Sequence, residues 1–200
     1  MEDQVTVFTI GHSVHPIADF LQLLKTHKIE AVADVRSSPY SKFIPQYNRK
    51  VLQKSLADVG IDYVFMGHEL GARRTEHECY IDGQVSYDLV AKTPAFEEGV
   101  QRIVQGACKM RIAMMCAEKD PLTCHRAILV SRHVKAKVGQ ILHILEDGSI
   151  ETHTSAEERL LKECKLQDGD LFKPPEQLIG EAYAKRGAKI AYAEETAKEA

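Results

Sequence analysis

Residues 5–35 read VTVFTIGHSVHPIADFLQLLKTHKIEAVADV and contain a complete strand–helix–strand unit. The β-branched run from Val5 to Ile10 ends at Gly11 and is typical of a strand. Pro16 is a favoured first residue of a helix, and apolar residues follow it at helical spacing. The short apolar run from Ala31 to Val35 predicts a second strand. A helix between two such strands predicts that they run parallel, so this stretch indicates an α/β fold.

The same alternation continues along the chain. Further strands are predicted at 61–65, 110–116 and 140–145, the one at 110–116 being the most central. Further helices are predicted from about 48 to 59, from 93 onward and from about 123 to 137, with Asn48 as an N-cap and Gly60 as a stop. Asp147 and Gly148 predict a turn. We therefore expect an open, mostly parallel sheet with helices on both faces.

The length and composition suit one domain with an appendage. Two hundred residues with 44% hydrophobic content supply an ample core. We predict a single α/β domain at 1–165 and a helical C-terminal arm at 166–200, because strand character ends there and an Ala/Glu/Lys-rich segment follows Pro174 and Pro175. This arm is expected to pack on the domain or on a second subunit, which makes a homodimer possible.

Three features predict a cytoplasmic protein. No run of about 18 apolar residues is present, so no membrane partner is expected. The acidic start, Met1 to Gln4, leads straight into a strand and is not typical of a signal peptide. The five cysteines are scattered through the chain, as is typical of reduced thiols and not of a disulfide framework.

The net charge of −3 conceals an asymmetry. Residues 35–57 carry basic residues and no acid, residues 102–137 are also mostly basic, and the segment from Glu146 onward is acidic. A basic body suggests an anionic partner, although ordinary solvated faces can produce the same split. Tyr40, Phe43 and Tyr47 lie among the basic residues, which suits a nucleotide or nucleic acid; a loop anchored by aromatic residues is the alternative.

Polar residues follow each predicted parallel strand. Because ligands of open parallel sheets bind at the carboxyl ends of the strands, we expect these groups to form one site. The groups are Gly11-His12-Ser13, Asp34 with Arg36, residues 67–71, Cys116 with Glu118, and Cys124-His125-Arg126.

Anion binding is predicted for several of these residues. An Arg in the first turns of a helix opposes the helix dipole, and an anion bound to Arg126 and the N–H groups around His125 would remove the conflict. Alternatively, Arg126 points to solvent or pairs with Glu118. The turn Gly11-His12-Ser13 could meet a phosphate oxygen or simply cap a helix. Arg36 could be a second clamp.

The candidate catalytic residues are Asp34, Glu118 and Cys124. Asp34 could act as a base or accept a ribose hydroxyl, and a structural pair with Arg36 is the alternative. Glu118 could be a general acid or base, or the salt-bridge partner of Arg126. Cys124 near a helix N-terminus would be nucleophilic, although a small residue packing helix against sheet is the alternative.

No cofactor follows from the sequence. Neither C-x-x-C nor H-E-x-x-H spacing occurs, so no metal ligand is predicted. A site formed by Cys116 and Cys124 with His125, His12 and His68 is the alternative. A glycine-rich phosphate loop and a dinucleotide fingerprint are also missing from the sequence.

The assembled motifs resemble those of domain-of-unknown-function family 488. The resemblance rests on Thr9-Ile-Gly-His-Ser13, on Asp34-Val-Arg36 with Pro39 and Ser41, on Leu70-Gly71, and on Cys116-x-Glu118 followed by Cys124-His-Arg126. It spans about residues 5–137. One departure is Ala72-Arg73, where such proteins often have a second glycine. The resemblance implies a Rossmann-like α/β fold and the same polar edge, but no particular reaction.

The leading functional prediction is an enzyme that acts on a phosphate-bearing substrate, namely a nucleotide or nucleic acid. A binding module for such a ligand is the first alternative. A thiol-based redox or metal-dependent protein that uses Cys116 and Cys124 is the second.

Overall fold

The computed structural model describes residues 5–166 and 173–194. Eight strands and eight α-helices lie in these ranges, joined by short 3₁₀ turns and one π-helix. The strands are β1 (Thr6–Gly11), β2 (Ala31–Asp34), β3 (Asp62–Phe65), β4 (Tyr80–Ile81), β5 (Gln84–Val85), β6 (Ile112–Cys116), β7 (Gln140–Ile144) and β8 (Ile150–Thr152). The α-helices are α1 (Ile17–Thr26), α2 (Arg49–Ala57), α3 (Gly67–Leu70), α4 (Tyr87–Val90), α5 (Pro94–Ala107), α6 (Arg132–Val134), α7 (His153–Glu163) and α8 (Pro175–Ile190).

The main sheet has six strands in the order β3-β2-β6-β1-β7-β8. All neighbours in it are parallel except β7 and β8, which form an antiparallel hairpin at one edge. Gly148 closes this hairpin with a φ of 83°, a conformation that favours glycine. The prediction of an open, mostly parallel, Rossmann-like α/β sheet is confirmed, as is the central position of β6.

Both faces of the sheet are covered, because successive side chains on a strand point in opposite directions. On one face, Val7 and Met114 pack with Val100 and Ile103 of α5. On the other face, residues of β1, β2 and β6 pack with the apolar sides of α1 and α2; they include Phe8, Val32, Met115, Phe20 and Leu52. The two buried layers fix the sheet between helices and leave its strand ends free to form a site.

The amphipathic helices begin where their sequence signals predict. Thr93 caps α5 by accepting a hydrogen bond from the Phe96 N–H, and Pro94 occupies the first helical position. Gly60, with a φ of 76°, follows the end of α2. Asn48 stands at the N-cap of α2, but its side-chain oxygen accepts from the Ser41 N–H at 2.6 Å instead of capping the helix. The Asn48 side chain therefore holds the preceding loop.

The predicted helix at 123–137 needs a correction. Residues Pro121–Thr123 form a separate 3₁₀ turn, and Cys124 is extended, with φ −133° and ψ 141°. A π-helix then covers Arg126–Ser131 and continues into α6. The Cys124 carbonyl accepts from the N–H groups of Ala127 and Ile128. Cys124 therefore precedes the helical turns that it was expected to occupy.

The C-terminal helix α8 packs beside α7 and the π-helix. Leu178, Ala182 and Tyr183 are its buried residues in a third apolar cluster that also includes Ile128 and Leu160. This confirms a helical C-terminal arm. The domain boundary at 165/166 and contact of the arm with a second subunit stay predictions. In the described ranges, none of the helices combines the length and apolarity needed to cross a bilayer.

Candidate functional site at the carboxyl edge of the sheet

Strand register brings the predicted polar groups together. Gly11 at the end of β1 lies opposite Cys116 at the end of β6, and Asp34 at the end of β2 lies opposite Met115. The three central strands therefore end side by side. The main chain continues this pairing, because the N–H groups of His12 and Ser13 donate to the carbonyls of Cys116 and Ala117 at 2.9 and 2.8 Å.

A cleft of about 340 Å³ lies at this edge. It combines residues from the strand ends with residues from the loops at 37–40 and 72–73 and from the end of the C-terminal arm. Its lining includes Arg36, Ser37, Ser38, Tyr40, Arg73, Cys116, Glu118, His125 and Tyr192. Three predicted site residues, Arg36, Glu118 and His125, thus share one cleft with side chains that the sequence did not assign to it.

Asp34 and Arg36 form a buried, two-pronged ion pair. The Arg36 Nε and Nη2 atoms donate to the two Asp34 carboxylate oxygens at 2.9 and 2.7 Å. Nη2 also donates to the Tyr47 carbonyl, and the Tyr63 hydroxyl donates to Asp34 at 2.7 Å. Asp34 is 0% exposed. This geometry matches the structural pair that the sequence left open as an alternative.

His12 completes this network as a neutral ring. Its Nε2 accepts from Arg36 Nη1 at 3.1 Å, so its Nδ1 carries the hydrogen and donates to the Ser13 carbonyl at 2.9 Å. The ring stacks on Tyr47 with centroids 4.1 Å apart. Burial, helped by the nearby Arg36 charge, lowers the pKa of His12 to about 4. At neutral pH, His12 is therefore an uncharged spacer between Arg36 and the first turn.

The first turn is packed tightly against the loop after β6. A Cβ atom on Gly11 would lie 1.9 Å from the Glu118 carbonyl oxygen, so only glycine fits there. Ser13 adopts a φ of 46°, in the left-handed region. The turn at 11–13 thus serves as a rigid support for the loop that carries Glu118.

Arg126 supports the same loop from the other side. It is 0% exposed, and its terminal guanidinium nitrogens donate to the main-chain carbonyls of Glu118 and Lys119. Its predicted partners are a bound anion or, alternatively, solvent or the Glu118 carboxylate. The structure adds main-chain carbonyls, which a pattern of residue types does not indicate.

Cys116, Cys124 and His125 form a buried cluster. The Nδ1 atom of His125 lies 3.7 Å from Cys116 Sγ and 3.9 Å from Cys124 Sγ. The ring is oriented by its Nε2 atom, 3.0 Å from the Val35 carbonyl. Of the other histidines considered for this cluster, His12 bonds to Arg36, and His68 packs edge-on against Phe65.

The two thiols of the cluster differ in acidity. Burial alone would raise the pKa of Cys124, but hydrogen bonding with Cys116 and the charges of Arg126 and His125 bring it below its ordinary value. The pKa of Cys116 is raised, first by its hydrogen bond with Cys124 and then by burial. The pair therefore favours a single negative charge, carried on Cys124.

Glu118 lies beside this cluster at the mouth of the cleft. Although the residue is solvent-exposed as a whole, burial of its carboxyl group raises its pKa, and the Cys124 charge raises it further. The protonated form is therefore more accessible than in an isolated glutamate. A carboxyl group of this kind, beside sulfur and imidazole in a cleft, can take up or release a proton.

Arg73 is the site residue that the sequence analysis missed. It is exposed, lines the cleft and stacks its guanidinium 4.8 Å above the Tyr192 ring. Its main-chain N–H donates to Ser37 Oγ at 2.8 Å, which fixes the loop. The only sequence signal was the Ala72-Arg73 departure from the family pattern. Tyr192 gave no signal, because the arm is far away in sequence.

A family model described as "Domain of unknown function DUF488" matches residues 16–133. Neither the curated proteins nor the solved structures gave a match.

Proposed function

Because the chain belongs to the DUF488 family, whose description specifies no reaction, we propose a function from its site. The chain is an enzyme that binds a phosphate-bearing substrate, a nucleotide or nucleic acid, in the cleft at the carboxyl edge of the sheet. Glu118 is the general acid or base that gives a proton to the substrate or takes one from it.

The observation that carries the proposal is the placement of Glu118. Its carboxyl group shares the cleft with Cys116 and His125, and burial raises its pKa. General acids and bases work best when their pKa lies near the operating pH. Asp34, the other candidate base, is fully occupied by Arg36 and Tyr63, so we assign it the task of holding Arg36.

Arg73 is the best-placed group for the substrate phosphate. The guanidinium nitrogens of Arg36 already have protein partners, and both terminal nitrogens of Arg126 do as well. Arg73 is exposed at the cleft and forms no salt bridge within the described residues. We therefore propose that Arg73, and not Arg36 or Arg126, binds the substrate phosphate, with Ser38 beside it. The turn Gly11-His12-Ser13 then supports the site and does not contact the phosphate.

The aromatic rim favours a nucleotide over a simple phosphate. Tyr40, which is 66% exposed, and Tyr192 both line the cleft. The exposed Tyr40 ring beside a cation suits the stacking of a base next to a bound phosphate, while the half-buried Tyr192 ring holds Arg73 in place.

A binding experiment tests the substrate class. Thermal shift is measured with inorganic phosphate, the nucleoside monophosphates and a short single-stranded oligonucleotide, because a ligand that binds the native state raises the melting temperature. We expect stabilisation by a nucleotide or the oligonucleotide, and its loss in Arg73→Ala. Arg111→Ala is the matched control, since Arg111 is exposed before β6 at the opposite edge of the sheet. Equal shifts in both variants would contradict the proposed anion site.

A second experiment separates an enzyme from a binding module. The nucleotide class that binds is incubated with the protein, and products are separated by chromatography. Glu118→Gln should retain binding and lose turnover by about 100-fold or more, as expected for a general acid or base. Glu98→Gln, an exposed change on α5, should keep both. Binding without turnover in the wild type would favour the binding module.

A further inference from the structure

The buried cluster at the base of the cleft has the composition of a metal site. The ligand atoms of Cys116, Cys124 and His125 all lie within 4.8 Å of one another. We propose that these three residues bind one zinc ion and leave its fourth position open to the cleft. This inference goes beyond the proposed function, because it adds a resident metal ion and does not depend on the substrate.

The orientation of His125 is the first observation that points to a metal. Its Nε2 atom lies 3.0 Å from the Val35 carbonyl, which can only accept, so Nε2 carries the hydrogen. Nδ1 is then the nitrogen that faces both sulfur atoms, and it is the atom available to a metal. Metal-bound histidines almost always donate their second ring N–H to a carbonyl, carboxylate or water in this way.

The distances are those of two ligand pairs on one tetrahedral ion. Zinc binds sulfur at about 2.3 Å and nitrogen at about 2.0–2.1 Å, which places sulfur and nitrogen about 3.6 Å apart in a tetrahedron. The observed separations are 3.7 Å from Cys116 Sγ and 3.9 Å from Cys124 Sγ to Nδ1. A single ring nitrogen forms a good hydrogen bond with only one of the two sulfurs, whereas a single ion satisfies all three ligands.

The surroundings of Cys124 suit a thiolate ligand. The main-chain N–H of Arg126 donates to Cys124 Sγ at 3.4 Å. The buried guanidinium of Arg126 adds a positive charge nearby and is fixed by two main-chain carbonyls. N–H donors to sulfur and a nearby cation both stabilise the negative charge that a metal-bound sulfur keeps.

The ligand set selects the metal and its role. Two sulfurs and one imidazole suit zinc, whereas magnesium and calcium prefer oxygen ligands. Structural zinc sites have four protein ligands, and catalytic sites have three with one open position. Cys116 and His125 line the cleft, as does Glu118, so the open position faces the proposed substrate site and a carboxyl group.

The test uses cobalt as a visible substitute for zinc. The full-length protein is stripped of metal with a chelator under reducing conditions and titrated with Co²⁺. We expect one equivalent to give thiolate-to-cobalt charge-transfer bands and the intense visible bands of a tetrahedral site, both removed by Zn²⁺. Cys116→Ser and Cys124→Ser should weaken zinc binding by more than about 100-fold, since even second-shell changes cost about 10–100-fold. Cys108→Ser, at an exposed cysteine outside the cluster, should leave binding unchanged.

A measurement on the wild-type chain covers the case in which a cysteine variant fails to fold. Alkylation of each cysteine is followed by mass spectrometry with and without Zn²⁺. Zinc should protect Cys116 and Cys124 and leave the rate at Cys108 unchanged. Equal alkylation with and without zinc, or a cobalt spectrum without thiolate bands, would overturn the metal site. Glu118→Gln should keep the thiolate bands, so failure of the proposed proton transfer is distinguishable from failure of the metal site.

Discussion

Arg126 and Glu118 are joined through the main chain: the buried guanidinium donates to the Glu118 carbonyl oxygen and, at 2.9 Å, to that of Lys119. The side chain of Glu118 lines the cleft, while its main-chain carbonyl accepts a hydrogen bond from the buried Arg126. A buried arginine thus positions a carboxyl group without neutralising it.

Replacing Arg126 tests this positioning role. Arg126→Met removes the donors of two partly buried carbonyls and places an uncharged side chain at a fully buried position, so we expect the free energy of unfolding to fall by about 2–3 kcal/mol. Urea denaturation measures the change. Arg111→Met, at an exposed arginine, should cost less than about 1 kcal/mol. A stable Arg126→Met protein that has lost only nucleotide binding would instead support the anion-clamp hypothesis.

Gly11→Ala tests the contact between the first turn and the Glu118 loop. The new methyl group would lie 1.9 Å from the Glu118 carbonyl oxygen, so the two segments must separate. We expect a loss of about 3 kcal/mol in unfolding free energy, within the range for severe overpacking. Gly180→Ala in α8 is the control, because its Cβ meets nothing within 4 Å and should stabilise by up to about 1 kcal/mol. Similar effects at both positions would argue against the tight turn.

Asp34→Asn tests whether Asp34 is a structural partner of Arg36 and not a catalytic base. The buried Arg36 guanidinium would lose its charged partner, which costs about 3–5 kcal/mol when a buried ion pair is broken. Tyr63→Phe removes a single hydrogen bond to the same carboxylate and should cost about 1 kcal/mol. Glu118→Gln should change stability by less than about 0.5 kcal/mol. If thermal and urea unfolding show Asp34→Asn to be as stable as the wild type, the structural assignment is wrong.

A buried chain of hydrogen bonds makes the fold sensitive to acid. Thr9 Oγ1 lies 2.7 Å from His143 Nδ1, His143 Nε2 lies 2.9 Å from His153 Nδ1, and the Tyr183 hydroxyl lies 3.0 Å from His153 Nε2. Burial lowers the pKa of His153 to about 4 and also lowers that of His143. Both rings are therefore neutral in the folded chain and would become charged on unfolding in mild acid.

The sign of the pH dependence follows from these shifts. Because the folded pKa lies below the unfolded value of about 6.5, the stabilisation is complete above pH 6.5 and declines as the pH falls toward 4. Protonation linked to His153 should lower the free energy of unfolding by about 2 kcal/mol between pH 7 and pH 5, and His143 should add a loss of the same sign. Urea unfolding across this range measures it. His153→Gln should reduce the slope by about one proton, whereas His77→Gln, at an exposed position, should not change it. A flat stability profile for the wild type would contradict the neutral chain.

The sequence alone determined that the main strands form an open, mostly parallel sheet, but it gave neither their order nor the edge strand β8. The apolar run Ala31–Val35 and the helical spacing of Phe20 and Leu24 are local patterns, and they predict buried central strands covered by helices. The carboxyl edge was predictable for the same reason, since parallel strands end together. Family motifs such as Cys116-x-Glu118 then marked which strand ends carry polar residues.

Only the tertiary structure decided what each side chain does at that edge. Val35 and His125 are ninety positions apart in sequence. In the fold, the Val35 carbonyl fixes the His125 ring and directs its Nδ1 atom at two sulfurs. Arg36 and Arg126 have the same side chain but different partners, a carboxylate and two carbonyls. Sequence patterns report burial and periodicity, whereas hydrogen-bond partners depend on distances between segments that only folding brings together.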